Sequence, residues 1–281
     1  MPLILKGLNQ AGGQRDVNFT PDNQQVRTHR GHAVKVVLLG AALSGLANAA
    51  SYRMTSFVVV GTQPRPAFAW CDARDRILAV TAPSPALSGP DDVRGVSLLR
   101  WLKNKPVASN FHYKLGPLEG AAGSTYIGLT PAGFRATRDL TSRYFVHLSN
   151  VESPAGMGYR MQRVVRFKTM QGENTCRYVP NAAFMGATAK RTVIVWDEGD
   201  AITYATRNFD GTPGVYVTGG RKTRSVEGRA TYDFRTEDGF QYRVIIDDDG
   251  PGTGAAVHVF RKGSLKSRES FLAYSISTPT P

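Results

Sequence analysis

From residue 52 onward, apolar and polar residues alternate with a period of two along most of the chain. Successive side chains of a β-strand point to opposite faces, so this alternation predicts strands with one buried face. The predicted strands cover residues 52–60, 66–71, 77–80, 110–115, 124–129, 143–151, 159–169, 191–197, 201–207, 213–218, 229–236, 240–247, 255–262 and 269–276. Turns that contain Gly or Asp separate many of them. The pattern predicts an all-β fold, an antiparallel meander that forms a sandwich or a small barrel.

Residues 90–105 break this alternation and predict one helix. Pro90 followed by Asp91 and Asp92 is typical of a first helical turn, where acidic residues lie at the positive end of the helix dipole. Basic residues and then Pro106 follow at the other end. The apolar residues of the segment have a spacing that would form one stripe against a sheet: Val93, Val96, Leu99 and Leu102.

A short apolar run at residues 36–46 dominates the N-terminal part of the chain. Lys35 precedes the run and Ala47-Asn48-Ala49 follows it, which predicts a secretory signal peptide that is cleaved after residue 49. The run is shorter than the roughly 20 residues that span a bilayer. A buried core helix is the alternative interpretation of the run.

The segment before this run is polar and resembles no targeting sequence. Two explanations stay open: translation starts at Val34, or the signal peptide has a long leader. In both cases residues 1–49 are leader and signal peptide, and the mature protein is the β-rich region 50–281. We therefore expect a periplasmic or secreted protein.

Two cysteines and one flexible segment bear on how the mature region is organised. Residues 152–158 form the best internal boundary, so the region is either one domain or two packed halves, 50–151 and 159–281. Cys71 and Cys176 are the only cysteines, and in an oxidising compartment they are expected to form a disulfide, the alternative being two buried thiols. Such a bridge would couple the two halves.

The chain is strongly basic, with 35 Lys and Arg against 22 Asp and Glu and a formal net charge of +13. This charge predicts an anionic partner. For an exported protein the available anions are anionic lipid, lipopolysaccharide or acidic polysaccharide, and nucleic acid is not expected. The alternative is that the charge is spread over the surface and serves only solubility.

Local motifs for catalysis are missing from the sequence. The mature region has three histidines, His112, His147 and His258, and none has a second His or Cys at ligand spacing. HExxH, GxSxG and SxxK motifs and a phosphate-binding glycine loop are not found. The acidic run at residues 247–250 fits a hairpin turn better than a calcium loop, because its carboxylates are consecutive. We therefore assign no catalytic residue, metal or cofactor.

The best candidate for a binding site is a basic strand face. Alternation along 159–169 places Arg160, Arg166 and Lys168 on one side of the strand, where they could contact phosphate or carboxylate groups. An ordinary solvated face is the alternative. Further basic residues that could extend this face are Arg191, Arg221, Lys222 and Arg224.

These patterns together predict a non-enzymatic envelope or extracellular binding protein for an anionic ligand. Two alternatives stay open. One is an exported hydrolase that acts on cell-wall or polysaccharide material, with a site built from residues distant in sequence. The other is a structural or inhibitory partner of another exported protein.

Overall fold

The structure, a computed structural model, describes residues 52–103, 105, 107–136, 143–149, 159, 161–224, 230–246 and 254–279. Residues 1–51 lie outside this described part. The predicted signal peptide, its cleavage site and the acidic run at 247–250 therefore also lie outside the described residues.

The described residues contain strands and turns but no helix. The strands are β1 (Tyr52–Val60), β2 (Gln63–Asp72), β3 (Arg76–Thr81), β4 (Arg94–Leu102), β5 (Ala108–Ala121), β6 (Ser124–Pro131), β7 (Phe145–Ser149), β8 (Arg163–Thr169), β9 (Gly172–Thr175), β10 (Phe184–Ala187), β11 (Arg191–Asp197), β12 (Ile202–Asn208), β13 (Tyr216–Val217), β14 (Arg221–Arg224), β15 (Ala230–Arg235), β16 (Phe240–Ile246), β17 (Ala256–Arg261), β18 (Ser264–Ser270) and β19 (Ala273–Pro279). The all-β prediction is confirmed.

The strands form two antiparallel sheets. The large sheet has the order β13-β12-β11-β10-β19-β1-β2-β3-β4-β5-β6-β7-β8-β9, and the small sheet is the meander β14-β15-β16-β17-β18. Both orders are open within the described residues, so the sheets do not form the closed small barrel that was one of the two predicted architectures.

The small sheet packs face to face on one end of the large sheet, as a sandwich requires. Phe184, Tyr204 and Tyr274 of the large sheet share a buried core with Phe234 and Val257 of the small sheet. The rings of Tyr204 and Phe234 are 5.1 Å apart between centroids, and both side chains are almost completely buried. The inner face of the small sheet is thus occupied, and its outer face is left to solvent.

The other end of the large sheet, strands β2–β9, curls around a second core that includes Leu115, Ile127 and Phe167. Cys71 on β2 and Cys176 just after β9 are joined by a disulfide, which confirms the predicted pairing. The backbone N–H of Arg177 also donates to the carbonyl of Asp72 at 3.0 Å. Together these contacts hold the two ends of the curled segment β2–β9 against each other.

The predicted helix at 90–105 is wrong, because the segment contains strand β4 between β3 and β5. Both faces of β4 are buried: Val96 and Leu98 enter the core of the curled segment, whereas Leu99 and Trp101 enter a third core on the opposite face. A strand that is buried on both sides has a nearly continuous apolar sequence. That sequence lacks the alternation of a half-buried strand and imitates the apolar spacing of a helix.

The predicted boundary at 152–158 lies outside the described residues, so the division into two halves stays a prediction. Strand pairing nevertheless joins the two predicted halves at two places. β7 pairs with β8, and β1 pairs with β19.

Candidate functional site

Two of the three residues predicted to form a basic face lie together on β8. Arg166 and Lys168 project from its outer side, whereas Phe167 between them is fully buried. In the strand register Arg166 is opposite His147 of β7, and Lys168 is opposite Phe145 of the same strand. We call this outward surface of β6–β8, with Tyr126, Phe145, His147, Arg166 and Lys168, the β8 face. Arg160 lies outside the described residues.

The aromatic rings of the β8 face contact one another and one of its cations. Tyr126 stacks on His147 with 4.3 Å between ring centroids, and it meets Phe145 edge to face at 5.3 Å. The Lys168 ammonium lies 5.8 Å from the centre of the Phe145 ring, within the range of a cation–π contact. The imidazole Nε2 of His147 is hydrogen-bonded to the Ser124 hydroxyl at 2.9 Å.

The charges of the β8 face are partly compensated. Arg166 forms an ion pair with Glu173 of β9 at 2.6 Å. Burial lowers the pKa of His147, and the positive charges of Arg166 and Arg163 lower it further. His147 is therefore neutral at pH 7, and Lys168 is the cation of this face that has no acidic partner among the described residues.

A cleft of about 660 Å³ opens on the outer side of β3–β5. Thr81, Ser97 and His112 from three neighbouring strands line it. Its basic side chains are Arg94, Lys114 and Arg135. No acidic residue is found among the described residues that line the cleft.

Arg94 is held at the rim of the cleft by Asp92. The Asp92 carboxylate accepts a hydrogen bond from the Arg94 Nε at 3.0 Å, and it also accepts from the backbone N–H and hydroxyl of Ser88. The hydrogen bonds from Ser88 and then from Arg94 keep the pKa of Asp92 below its usual value. The residues that suggested a helix start thus form a turn that positions an arginine.

Lys114 on β5 contacts the turn after β6, which carries Arg135. The Lys114 ammonium donates to the carbonyl of Phe134 at 3.0 Å, which fixes this turn over β5. Arg135, the next residue, is exposed. Neither cation has an acidic partner among the described residues, so both are available to bind an anion.

Gly116 allows the rim of the cleft to approach β5. Its φ of +103° lies in the region that favours glycine, and a Cβ at this position would lie 2.0 Å from the carbonyl oxygen of Asp92. The backbone N–H of Leu118 donates to the carbonyl of Pro90 at 2.6 Å across the same contact. A larger residue at 116 would displace the segment that carries Asp92 and Arg94.

Two of the other cations predicted to extend the basic face form ion pairs elsewhere in the fold. Arg191 forms a two-point ion pair with the buried Glu269, with distances of 3.0 and 3.2 Å. Lys222 binds the buried Asp197 at 3.0 Å. The side chain of Arg224 lies outside the described residues. Arg191 and Lys222 therefore stabilise the fold and do not extend the β8 face.

The Asp197 cluster could suggest acid–base chemistry, but its pKa values argue against it. Asp197 accepts hydrogen bonds from Tyr159, Lys222 and Tyr232. Burial raises the pKa of both tyrosines, and the carboxylate of Asp197 raises it further. Burial also acts to raise the pKa of Asp197, but the hydrogen bonds from Tyr159 and Lys222 outweigh it and lower the pKa. The two tyrosines and Asp197 keep their charge state near pH 7, so the cluster ties the two sheets together.

Sequence reasoning did not find the cleft, because its three cations come from separate segments. Arg94 fell within the predicted helix, and Arg135 follows a strand in a turn. Lys114 alternates outward on β5, which was the one available signal. Alternation shows that a side chain is exposed, but not which exposed side chains of other strands lie beside it.

The described residues contain no group of three or more His, Cys, Asp or Glu side chains that could hold a metal ion. In the same part of the chain, no helix has the length and apolar character needed to cross a membrane. No known protein family, curated protein or solved structure matches this chain significantly.

Proposed function

We propose that this protein is an exported, non-enzymatic binding protein for an anionic ligand, which it holds in the cleft on β3–β5. One observation carries this proposal: Arg94, Lys114 and Arg135 converge on a cleft that has no acidic residue among its described lining. Elsewhere in the fold, Arg191 and Lys222 are neutralised by buried carboxylates. Arg94 is paired with Asp92, but Lys114 and Arg135 have no acidic partner among the described residues, and such cations in a concave site are suited to phosphate or carboxylate groups.

The disulfide supports the exported location, because stable disulfides are typical of oxidising compartments. In such a compartment the phosphate and carboxylate ligands are those of anionic lipid, lipopolysaccharide and acidic polysaccharide. The β8 face lies on the same outer side of the curled segment, and Lys168 adds a cation there. We therefore place the ligand's principal anionic group in the cleft and treat the β8 face as an accessory surface.

The test replaces two cations of the cleft that have no acidic partner, in the double variant Lys114→Ser, Arg135→Ser. Calorimetry would measure binding of oligogalacturonate and of phosphorylated lipopolysaccharide. We expect about a tenfold weaker affinity, because two partly exposed ionic contacts contribute up to about 1 kcal/mol each. The preferred probe identifies the anionic group.

The matched control is Arg53→Ser, Arg207→Ser, which removes the same charge from exposed positions outside the cleft. We expect less than a twofold change for this control. If both double variants lose affinity equally, the binding reflects total charge, and the proposal of a cleft site fails.

A hydrolase is the second candidate, and the Ser124–His147 hydrogen bond of 2.9 Å favours it. A hydroxyl within reach of a neutral imidazole is the first requirement of a serine nucleophile. Among the described residues no carboxylate contacts His147, so the third member of a triad is missing there. The test is hydrolysis of polygalacturonate and of a nitrophenyl ester. Turnover that Ser124→Ala abolishes would replace the binding proposal.

A further inference from the structure

The outer face of the small sheet carries one row of charged residues that crosses all five strands. The register pairs Arg221 with Asp233, Asp233 with Arg243, Arg243 with His258, and His258 with Arg268. Neighbouring strands lie about 4.8 Å apart, so this row is about 19 Å wide. The opposite face of the same strands is buried in the sandwich core.

Positive charge exceeds negative charge on this face. Asp233 accepts hydrogen bonds from Arg243 at 2.7 Å and from Gln241 at 3.0 Å, so its charge is already neutralised. The exposed cations on strands of this sheet include Arg221, Arg235, Lys266 and Arg268. They form no ion pair with an acidic residue in the described part of the chain.

His258 lies in the row between two arginines. Arg243 flanks it on β16 and Arg268 flanks it on β18. Its Nε2 is buried and has no hydrogen-bond partner among the described residues. Burial and then the charges of Arg268 and Arg243 lower its pKa. The imidazole is thus a group that can gain a positive charge when an anion reduces the repulsion from these arginines.

Apolar side chains lie among these cations. Leu265 is 53% exposed and faces Phe260 in the register. The Arg243 guanidinium lies 5.5 Å from the centre of the Phe260 ring. Ile245, two residues after Arg243 on the same strand, is partly exposed. Exposed apolar groups surrounded by arginine and lysine are typical of surfaces that rest in the headgroup region of a bilayer.

The geometry points to this face of β14–β18, the small-sheet face, as a docking surface for an anionic lipid bilayer. Its cations spread across the width of the sheet and along its strands, which matches a two-dimensional array of headgroups. A linear polyanion would use the charges but would gain nothing from Leu265 and Ile245. None of the residues that line the cleft belongs to this face, so the inference does not depend on the proposed function.

The experiment is sedimentation of the full chain with vesicles of phosphatidylglycerol and phosphatidylcholine, compared with phosphatidylcholine alone. The variant Arg221→Ser, Arg235→Ser, Arg268→Ser should bind the anionic vesicles about a hundredfold more weakly. This estimate follows from a loss of about fivefold for each basic residue near an anionic membrane surface. Leu265→Ser should weaken binding severalfold and should keep that effect at high salt, because its contribution is apolar.

The matched control is Arg53→Ser, Arg65→Ser, Arg207→Ser, which removes three exposed charges outside the small sheet. We expect it to retain vesicle binding within about threefold, and near-ultraviolet circular dichroism would verify that both triple variants are folded. Equal losses in the two triple variants would overturn the inference. So would equal binding of the unmodified chain to both kinds of vesicle. A small-sheet variant that loses heparin binding but keeps vesicle binding would assign the face to linear polyanions instead.

Discussion

The β8 face and the small-sheet face both place a histidine beside arginine on an outward sheet surface, yet they differ in how much charge they leave available. On the β8 face His147 is opposite Arg166. On the small-sheet face His258 lies between Arg243 and Arg268. Burial and neighbouring arginines lower the pKa of both imidazoles. Residue types alone would therefore suggest that the two surfaces are equivalent.

The difference comes from the partners of each residue. His147 is bonded to Ser124 and stacked on Tyr126, and Arg166 is paired with Glu173. The Nε2 of His258 has no partner among the described residues, and Arg268 forms no ion pair there. A cation contributes to recognition only to the extent that neighbouring acids leave it unpaired. The face that alternation singled out is thus the more compensated of the two.

The largest expected effect comes from removing the disulfide, which joins the two ends of the curled segment that carries the β8 face and does not involve the small sheet. The double variant Cys71→Ser, Cys176→Ser should lower the free energy of unfolding by about 4 kcal/mol, because a loop with a sequence separation of 105 residues is no longer closed in the unfolded chain. Denaturant titration measures this loss. Hydrogen exchange should show reduced protection in β2–β9 and little change in β14–β18. Equal loss in both sheets would show that the bridge stabilises the whole fold.

A smaller but still large effect is expected at the cleft rim for Gly116→Ala. The added Cβ would be strained at this positive φ and would clash with the carbonyl of Asp92. The substitution should therefore lower the free energy of unfolding by about 2–3 kcal/mol and reduce ligand binding in the cleft. Gly120→Ala on the same strand is the control, because a Cβ there meets no heavy atom within 4 Å. A loss of stability for both variants would show only that β5 tolerates no substitution.

Glu173→Gln would make the β8 face resemble the small-sheet face, because it releases Arg166 from its ion pair. We expect anion affinity at low salt to rise about threefold, with little change in stability, as is usual for an exposed pair. Glu237→Gln causes the same charge change in a turn of the small sheet and is the control. Calorimetry with oligogalacturonate compares the two. A similar gain from both variants would show that net charge alone controls affinity.

The smallest expected effect is the pH dependence caused by His258. Its pKa in the folded protein lies below the ordinary value of 6.5, so the unfolded chain binds more protons than the folded chain as the pH falls through that value. Stability should therefore decrease below about pH 6.5, and His258→Gln should reduce the decrease. Thermal unfolding from pH 8 to pH 5 measures it. An unchanged pH profile would show that His258 does not titrate differently on folding.

Bound anionic vesicles should counteract the loss of stability at low pH, because a negative surface favours the protonated imidazole beside Arg243 and Arg268. Vesicle binding should then strengthen as the pH falls from 7 to 5, and His258→Gln should weaken that dependence. His147→Gln is the comparison on the other face. If it changes vesicle binding as strongly as His258→Gln does, the lipid surface is not specific to the small sheet.

The sequence was most informative where strands have one buried face. The alternation predicted β1 with the same bounds, and most strands of the second half to within a few residues. It failed at β4, where burial on both sides removes the alternation. The disulfide was predictable because only two cysteines are present.

The candidate sites were less predictable because they depend on register. Alternation along β8 correctly placed Arg166 and Lys168 on one side of the strand. It could not show that Glu173 pairs with Arg166, or that Arg243 lies beside His258, because a shift of one residue between strands reverses every side chain. The cleft forms only where three separate segments and two turns come together. No local pattern in the sequence specifies that arrangement.

The pairing of β1 with β19 has a consequence for the time course of folding. Phe57 of the first described strand is opposite Tyr274 of the last, and their rings are 5.1 Å apart. β1 therefore cannot gain this neighbour until residues 273–279 have been synthesised, more than 200 residues after β1 itself. Contacts so distant in sequence slow folding, and until β19 arrives one edge of β1 stays open to pairing with other chains. The large sheet is completed only after β19 has been synthesised, so whatever protects β1 until then determines how much of the chain reaches the native state.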